Sequence, residues 1–77
     1  MKKFDRITQD PDVMGGKACI RGMRVTAAML VNQVAAGRGV ESILGDYPYL
    51  EREDIEQALR YAARLAEEQE LVLAFWG

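Results

Sequence analysis

Between Glu51 and Glu70 the apolar residues fall at Ile55, Ala58, Leu59, Ala62, Leu65 and Ala66. Spacings of three and four put all of them on one side of a single long helix. A helix with one apolar side draws its stability from whatever covers that side, so the rest of the chain has to supply the cover. The helix is expected to start near Glu51 and to run to about Glu70. Glu51, Glu53 and Asp54 stand in its first turn, where the helix dipole favours negative charge. Glu56–Arg60 and Arg64–Glu68 are spaced for pairing along its wet faces.

Two shorter helices precede it. Thr26 is a suitable N-cap for Ala27–Ala36, whose Leu30, Val31 and Val34 recur at helical spacing, and Gly37 supplies the left-handed residue that closes many helices. Val40 to Gly45 reads as another helix, with Val40, Ile43 and Leu44 inward. It is broken at Asp46-Tyr47-Pro48-Tyr49 because the residue before a proline disfavours helix. Tyr47, Tyr49 and Tyr61 are placed to pack the junction of the last two helices.

The first 26 residues carry turn punctuation at Asp10-Pro11 and Gly15-Gly16. Lys17–Ile20 and Arg24–Thr26 flank a glycine-containing turn and read as a small β-hairpin, with Phe4–Ile7 as a further short strand. The expected fold is mostly α with a small β-hairpin: N-terminal short strands followed by a three-helix bundle containing a helix-turn-helix. It forms one domain over 1–77, divided into a hairpin region (1–26), a three-helix region (27–70) and an apolar C-terminal tail (71–77). A domain of 77 residues has a thin core, and association with another chain is a common remedy.

Histidine is absent, which removes the usual general base near neutral pH and the commonest metal ligand. One cysteine, Cys19, cannot form an internal disulfide or a zinc site, and its neighbours Ala18 and Ile20 favour a small buried residue over a nucleophile. Asp10, Asp12, Asp46 and Asp54 match no calcium-loop spacing. Gly15-Gly16-Lys17 lacks the flanking residues of a phosphate loop. No enzyme, metal or cofactor chemistry is expected. No apolar run is long enough to span a membrane, and Met1–Ile7 is too charged for a signal peptide, so the expected compartment is the cytoplasm.

Charge is divided unevenly. Residues 1–38 carry seven basic against three acidic side chains, a net +4, and residues 39–77 carry three against nine, a net −6. The helix-turn-helix outline over residues 40–61 suggests DNA, yet the start of its second helix is Glu51-Arg52-Glu53-Asp54, an unfavourable set to bring against phosphates. Lys17, Arg21, Arg24 and Arg52 are the candidate phosphate contacts. Leu71, Leu73, Phe75 and Trp76, in the apolar tail, are the candidate contacts to a partner or a second protomer.

The run Ile7-Thr8-x-Asp10-Pro11-x-Val13-x-Gly15-Gly16-Lys17-x-Cys19-Ile20-Arg21-Gly22-x-Arg24-Val25 resembles the signature of the bacterial and archaeal family catalogued as domain of unknown function 433. So do Ala35-Ala36-Gly37, Ile43-Leu44, Asp46-Tyr47-Pro48-x-Leu50 and Asp54-Ile55, and the likeness covers about residues 4–66. Ala18 and Met23 stand where that family usually has proline and threonine. The resemblance implies a homeodomain-like helical part and no catalytic residues. It also implies an antitoxin of the VapB kind that caps a PIN-like ribonuclease toxin and represses its own operon as a homodimer. Gly15, Gly16, Gly22 and Arg24 carry over as structural or binding positions only. The alternatives are a stand-alone DNA-binding regulator of operator DNA, or a structural dimeric adaptor with no toxin.

Overall fold

Thr26 begins the helical part of the chain as expected: its hydroxyl accepts from the amide of Met29 at 3.0 Å. In the computed structural model, which describes the backbone of residues 4–76 and the side chains of residues 4–68, the first helix, α1, spans Ala27–Ala35. Gly37 follows with φ +94°, and its amide bonds to the Val34 carbonyl. The second, α2, spans Val40–Asp46, and the third, α3, spans Arg52–Trp76. The architecture is mostly helical, three helices behind a two-stranded antiparallel sheet.

α3 runs further than its periodicity suggested. Nothing between Glu70 and Trp76 is a proline or glycine, and leucine and alanine are good helix formers, so positions 71–76 continue the helix instead of forming a separate tail.

The strands pair differently from the simplest hairpin. β1 (Ile7–Thr8) pairs antiparallel with β2 (Cys19–Ile20), with Ile7 opposite Ile20 and Thr8 opposite Cys19. The Val25–Thr26 segment joins through a single bridge, Cys19 to Thr26, and through Ile20 N–H bonded to the Val25 carbonyl. Between them Arg21 and Gly22 have φ of +48° and +72°, and Met23 N–H bonds back to the Ile20 carbonyl at 2.8 Å. Two successive positive φ values match the twist of flanking strands, and glycine takes the second without strain. The Thr8 hydroxyl fastens this turn to β1, accepting from Gly22 N–H at 2.9 Å. A second left-handed turn occupies Met14–Gly16, with φ of +51°, +66° and +84°.

The core gathers Ile20 of β2, Ala27 and Leu30 of α1, Ile43 of α2, Ile55 and Ala58 of α3, and Val25 and Leu50 from the connections, with Ile7 of β1 packed against it. Cys19 is buried beside them. The tyrosines do not form one cluster. Tyr47 and Tyr49 meet edge to face at 6.2 Å, whereas Tyr61 meets Phe4 in the same manner at 5.5 Å. Among the described residues no helix is long and apolar enough to cross a membrane.

Candidate interaction surface

The register of the sheet brings two arginines together. Extending the Ile7–Ile20 pairing by one residue sets Arg6 opposite Arg21, and Arg21 N–H bonds to the Arg6 carbonyl at 2.8 Å. Like charges across strands repel. The counter-charge comes from α3, where Asp54 is fully buried. Arg21 approaches it side-on, Nε donating to Oδ1 at 3.1 Å and Nη2 to Oδ2 at 2.8 Å. Arg6 Nη1 donates to Oδ1 at 3.0 Å and to Glu51 Oε1 at 2.5 Å. Asp54 Oδ2 also accepts from Glu51 N–H at 2.8 Å, so this third helical residue caps the start of its own helix.

Burial works against the charged form of Asp54. The bonds from Arg21, the Glu51 amide and Arg6 outweigh it and hold the carboxyl below its ordinary range. Both guanidiniums are held more firmly protonated in turn, Arg6 chiefly by Glu51 and then Asp54, Arg21 chiefly by Asp54.

Gln57, one turn further along α3, extends the cluster. Its Oε1 accepts from Arg6 N–H at 2.9 Å, and its Nε2 donates to Asp5 at 2.6 Å and Glu53 at 3.0 Å. Glu53 is held below its ordinary range by Gln57 first and then by Arg60. Arg60 pairs with Glu53 at 3.1 Å and not with Glu56, while Arg64–Glu68 forms as spaced, at 3.7 Å. Among the described residues every buried side-chain nitrogen and oxygen has a partner. The cluster therefore fastens the strands to α3 and presents no open position to a ligand. No group of three or more Cys, Asp or Glu among the described residues is placed to hold a metal ion.

The candidate phosphate contacts divide into two kinds. Arg21 is committed to Asp54 and to the Tyr49 carbonyl at 2.9 Å, and Arg52 to Glu41. Lys17 and Arg24 are exposed, and among the described residues neither has an ion-pair partner. The signature glycines Gly15, Gly16 and Gly22 all take positive φ, and a Cβ at Gly15 or Gly22 would meet nothing, so backbone conformation and not crowding demands them. Arg6 and Gln57 were not singled out from sequence, and Asp54 was placed only as an acid in the first turn of α3, not as a buried partner of arginines. The signal that pointed to them was the opposed charge of the two halves, which meet each other inside the molecule.

Further along α3 than this cluster, a groove of about 370 Å³ opens between α1 and α3. Ala27, Ala28 and Val31 form one wall, Tyr61, Ala62 and Leu65 the other, and Ala18 closes an end. Leu65 is 45% exposed. The side chains of Leu71, Leu73, Phe75 and Trp76 lie outside the described residues, and their backbone continues α3 from this wall.

The chain matches the family described as "Protein of unknown function (DUF433)" over residues 7–62. It is 41% identical over 56 residues to a protein of Sinorhizobium fredii (strain NBRC 101917 / NGR234) named "Uncharacterized protein y4eO". That match takes in 73% of this chain and only 25% of the relative, so the chain spans about a quarter of the relative's length. It is also similar to the crystal structure of a DUF433 member protein from Anabaena variabilis ATCC 29413. The two agree with a TM-score of 0.76 at 31% identity, over 91% of this chain and 69% of that one. Fold, signature and relatives agree: this chain belongs to the DUF433 family.

Proposed function

We propose that this chain works by association and not by catalysis, as an antitoxin-like module that caps a small PIN-like ribonuclease and holds it silent. The observation that carries this reading is the length of α3. Among the described side chains the last buried one is Ala58, with Leu59 and Tyr61 packed against the core, and the helical backbone runs about 20 Å past Tyr61 at 1.5 Å per residue, through Leu71, Val72, Leu73, Ala74, Phe75 and Trp76. A run of six apolar residues on the end of a helix suits packing into a groove of another protein. The commitment of Arg21 to the buried Asp54 favours a protein partner over nucleic acid as the main ligand.

The test is co-expression with the products of the adjacent genes. The full chain is expected to co-purify with one small protein in a fixed mass ratio, and a chain ending at residue 70 is expected to lose it. Equal recovery of that protein by both chains would refute the role given to residues 71–76.

Lys17 and Arg24, exposed and without an ion-pair partner among the described residues, favour a second activity on DNA upstream of the gene, consistent with operon autoregulation. If that DNA is bound, Lys17→Ala and Arg24→Ala are each expected to weaken binding regardless of sequence and to lower the salt slope by about one. Filter binding at several salt concentrations reads this directly, and an unchanged slope in both variants removes the hairpin from the DNA contact.

A further inference from the structure

We infer that the groove between α1 and α3 binds a small molecule with a short apolar body and a single carboxylate, the body lying on the alanine-lined floor and the carboxylate at Lys17. Such a site goes beyond the association reading above and does not rest on it. The groove's volume, about 370 Å³, lies near the lower end of the range of small-molecule sites. The residues lining its floor are small: Ala27 and Ala28 on α1, Ala62 on α3. Ala28 is exposed and Ala62 half-buried, so part of this apolar floor stands in water. Val31 and Leu65 border it, and both keep surface exposed. An apolar body laid there removes this surface from water without moving the core.

Charge selects the head group. Among the described residues Lys17 is the one charged side chain lining the groove, and no Asp or Glu lines it, in a chain with 12 acidic against 10 basic residues. Lys17 is exposed and has no ion-pair partner among the described residues. It stands beside the start of α1, where Ala27 N–H bonds to the Ala18 carbonyl at 2.9 Å. One ammonium matches one carboxylate, whereas a phosphate dianion is left half neutralised and an alkylammonium is repelled. Asn32, also exposed, sets a second polar limit further along α1. From Ala27 to Asn32 the groove follows α1 for about 7.5 Å at 1.5 Å per residue, room for a medium-length acyl chain. The carboxylate stays at the rim with its outer side hydrated, so the ion pair forms without the cost of burying it.

Titration of the isotope-labelled full chain with octanoate, octanol and octylammonium, followed by amide NMR, tests this. Octanoate should shift the amides of Ala18, Ala28, Val31 and Ala62 saturably, with octanol about fivefold weaker and octylammonium weaker still. Lys17→Ala should weaken octanoate about fivefold, as befits an exposed ion pair, and leave octanol unchanged. Ala28→Trp should fill the groove and abolish binding of both, with an unchanged circular dichroism spectrum in the far ultraviolet, since Ala28 is exposed. The absence of saturable shifts, shifts elsewhere on the chain, equal affinity for octanoate and octylammonium, or octanoate binding untouched by both variants would each overturn the site. So would two other occupants. Loss of the co-purifying protein in Ala28→Trp, with no octanoate shifts, would give the groove to that protein and keep the proposed function. Shifts of the same amides on dilution without any ligand would give it to a second copy of the chain.

Discussion

Replacing Asp54 by alanine is expected to cost about 3 kcal/mol of folding stability, the lower end for breaking a buried ion pair. The lower end applies because Arg6 and Arg21 keep part of their surface in water and can be rehydrated, whereas Asp54 itself is fully buried. Three losses coincide in the one substitution. The arginines facing each other across β1 and β2 lose their shared counter-charge, α3 loses the acceptor for the Glu51 amide, and the strands lose their polar fastening to the helix. For a domain of this size, 3 kcal/mol lowers the melting temperature by roughly 12 °C or more. Urea denaturation gives the energy directly, and a loss below about 1 kcal/mol would mean that the cluster is not what joins the sheet to α3.

The same residue sets an acid limit. Its carboxyl is held below its ordinary value near 3.8, so the stabilisation is complete above that value and is lost as the pH falls through the lower, folded value. The melting temperature of the unmodified chain should therefore drop on acidification below about pH 4 more steeply than that of Asp54→Asn, which has no carboxylate to protonate. Parallel curves for the two proteins would contradict this.

Ile43→Ala is expected to cost about 3 to 4 kcal/mol, within the usual range for truncating a fully buried aliphatic side chain. α2 has seven residues, and Ile43 is the one it buries completely. The remaining ties include the half-buried Val40 and Leu44, the bonds from Arg38 to Ser42, and two exposed ion pairs, Arg38–Asp46 at 2.6 Å and Arg52–Glu41. Exposed pairs are worth little individually. The truncation should therefore release α2 before the rest of the domain, and amide hydrogen exchange should speed up over residues 40–46 more than over residues 52–62. Uniform acceleration across the chain would show that α2 has no separate anchorage.

The helices were legible in the sequence because their determinants are local. Thr26, the Leu30–Val31–Val34 spacing, Gly37 and Pro48 act within a few residues of where they stand, and α1 and α2 lie within a residue of their expected ends. The end of α3 was misplaced because apolar residues at a terminus read as a tail, although none of them breaks a helix. The hairpin turn was legible from Gly22, and a short strand was expected at Phe4–Ile7, but its place at Ile7–Thr8 and its rank as the main partner of Cys19–Ile20 were not, since β1 is two residues long and too short for an alternating pattern. The Asp54 cluster was the least legible part. An acid in the first turn of a helix is already explained by the dipole, and nothing local separates that role from burial against arginines 33 and 48 residues away. The uneven charge of the two halves did carry the information, although it suggested external partners before internal ones.

The central claim is that the far half of α3 holds a nuclease silent, and a ribonuclease assay on the adjacent gene product tests it most directly. The account predicts activity from that product alone, none with the full chain present, and activity again with the chain ending at residue 70. Activity unaffected by the full chain, or suppressed equally by the shortened one, would contradict it.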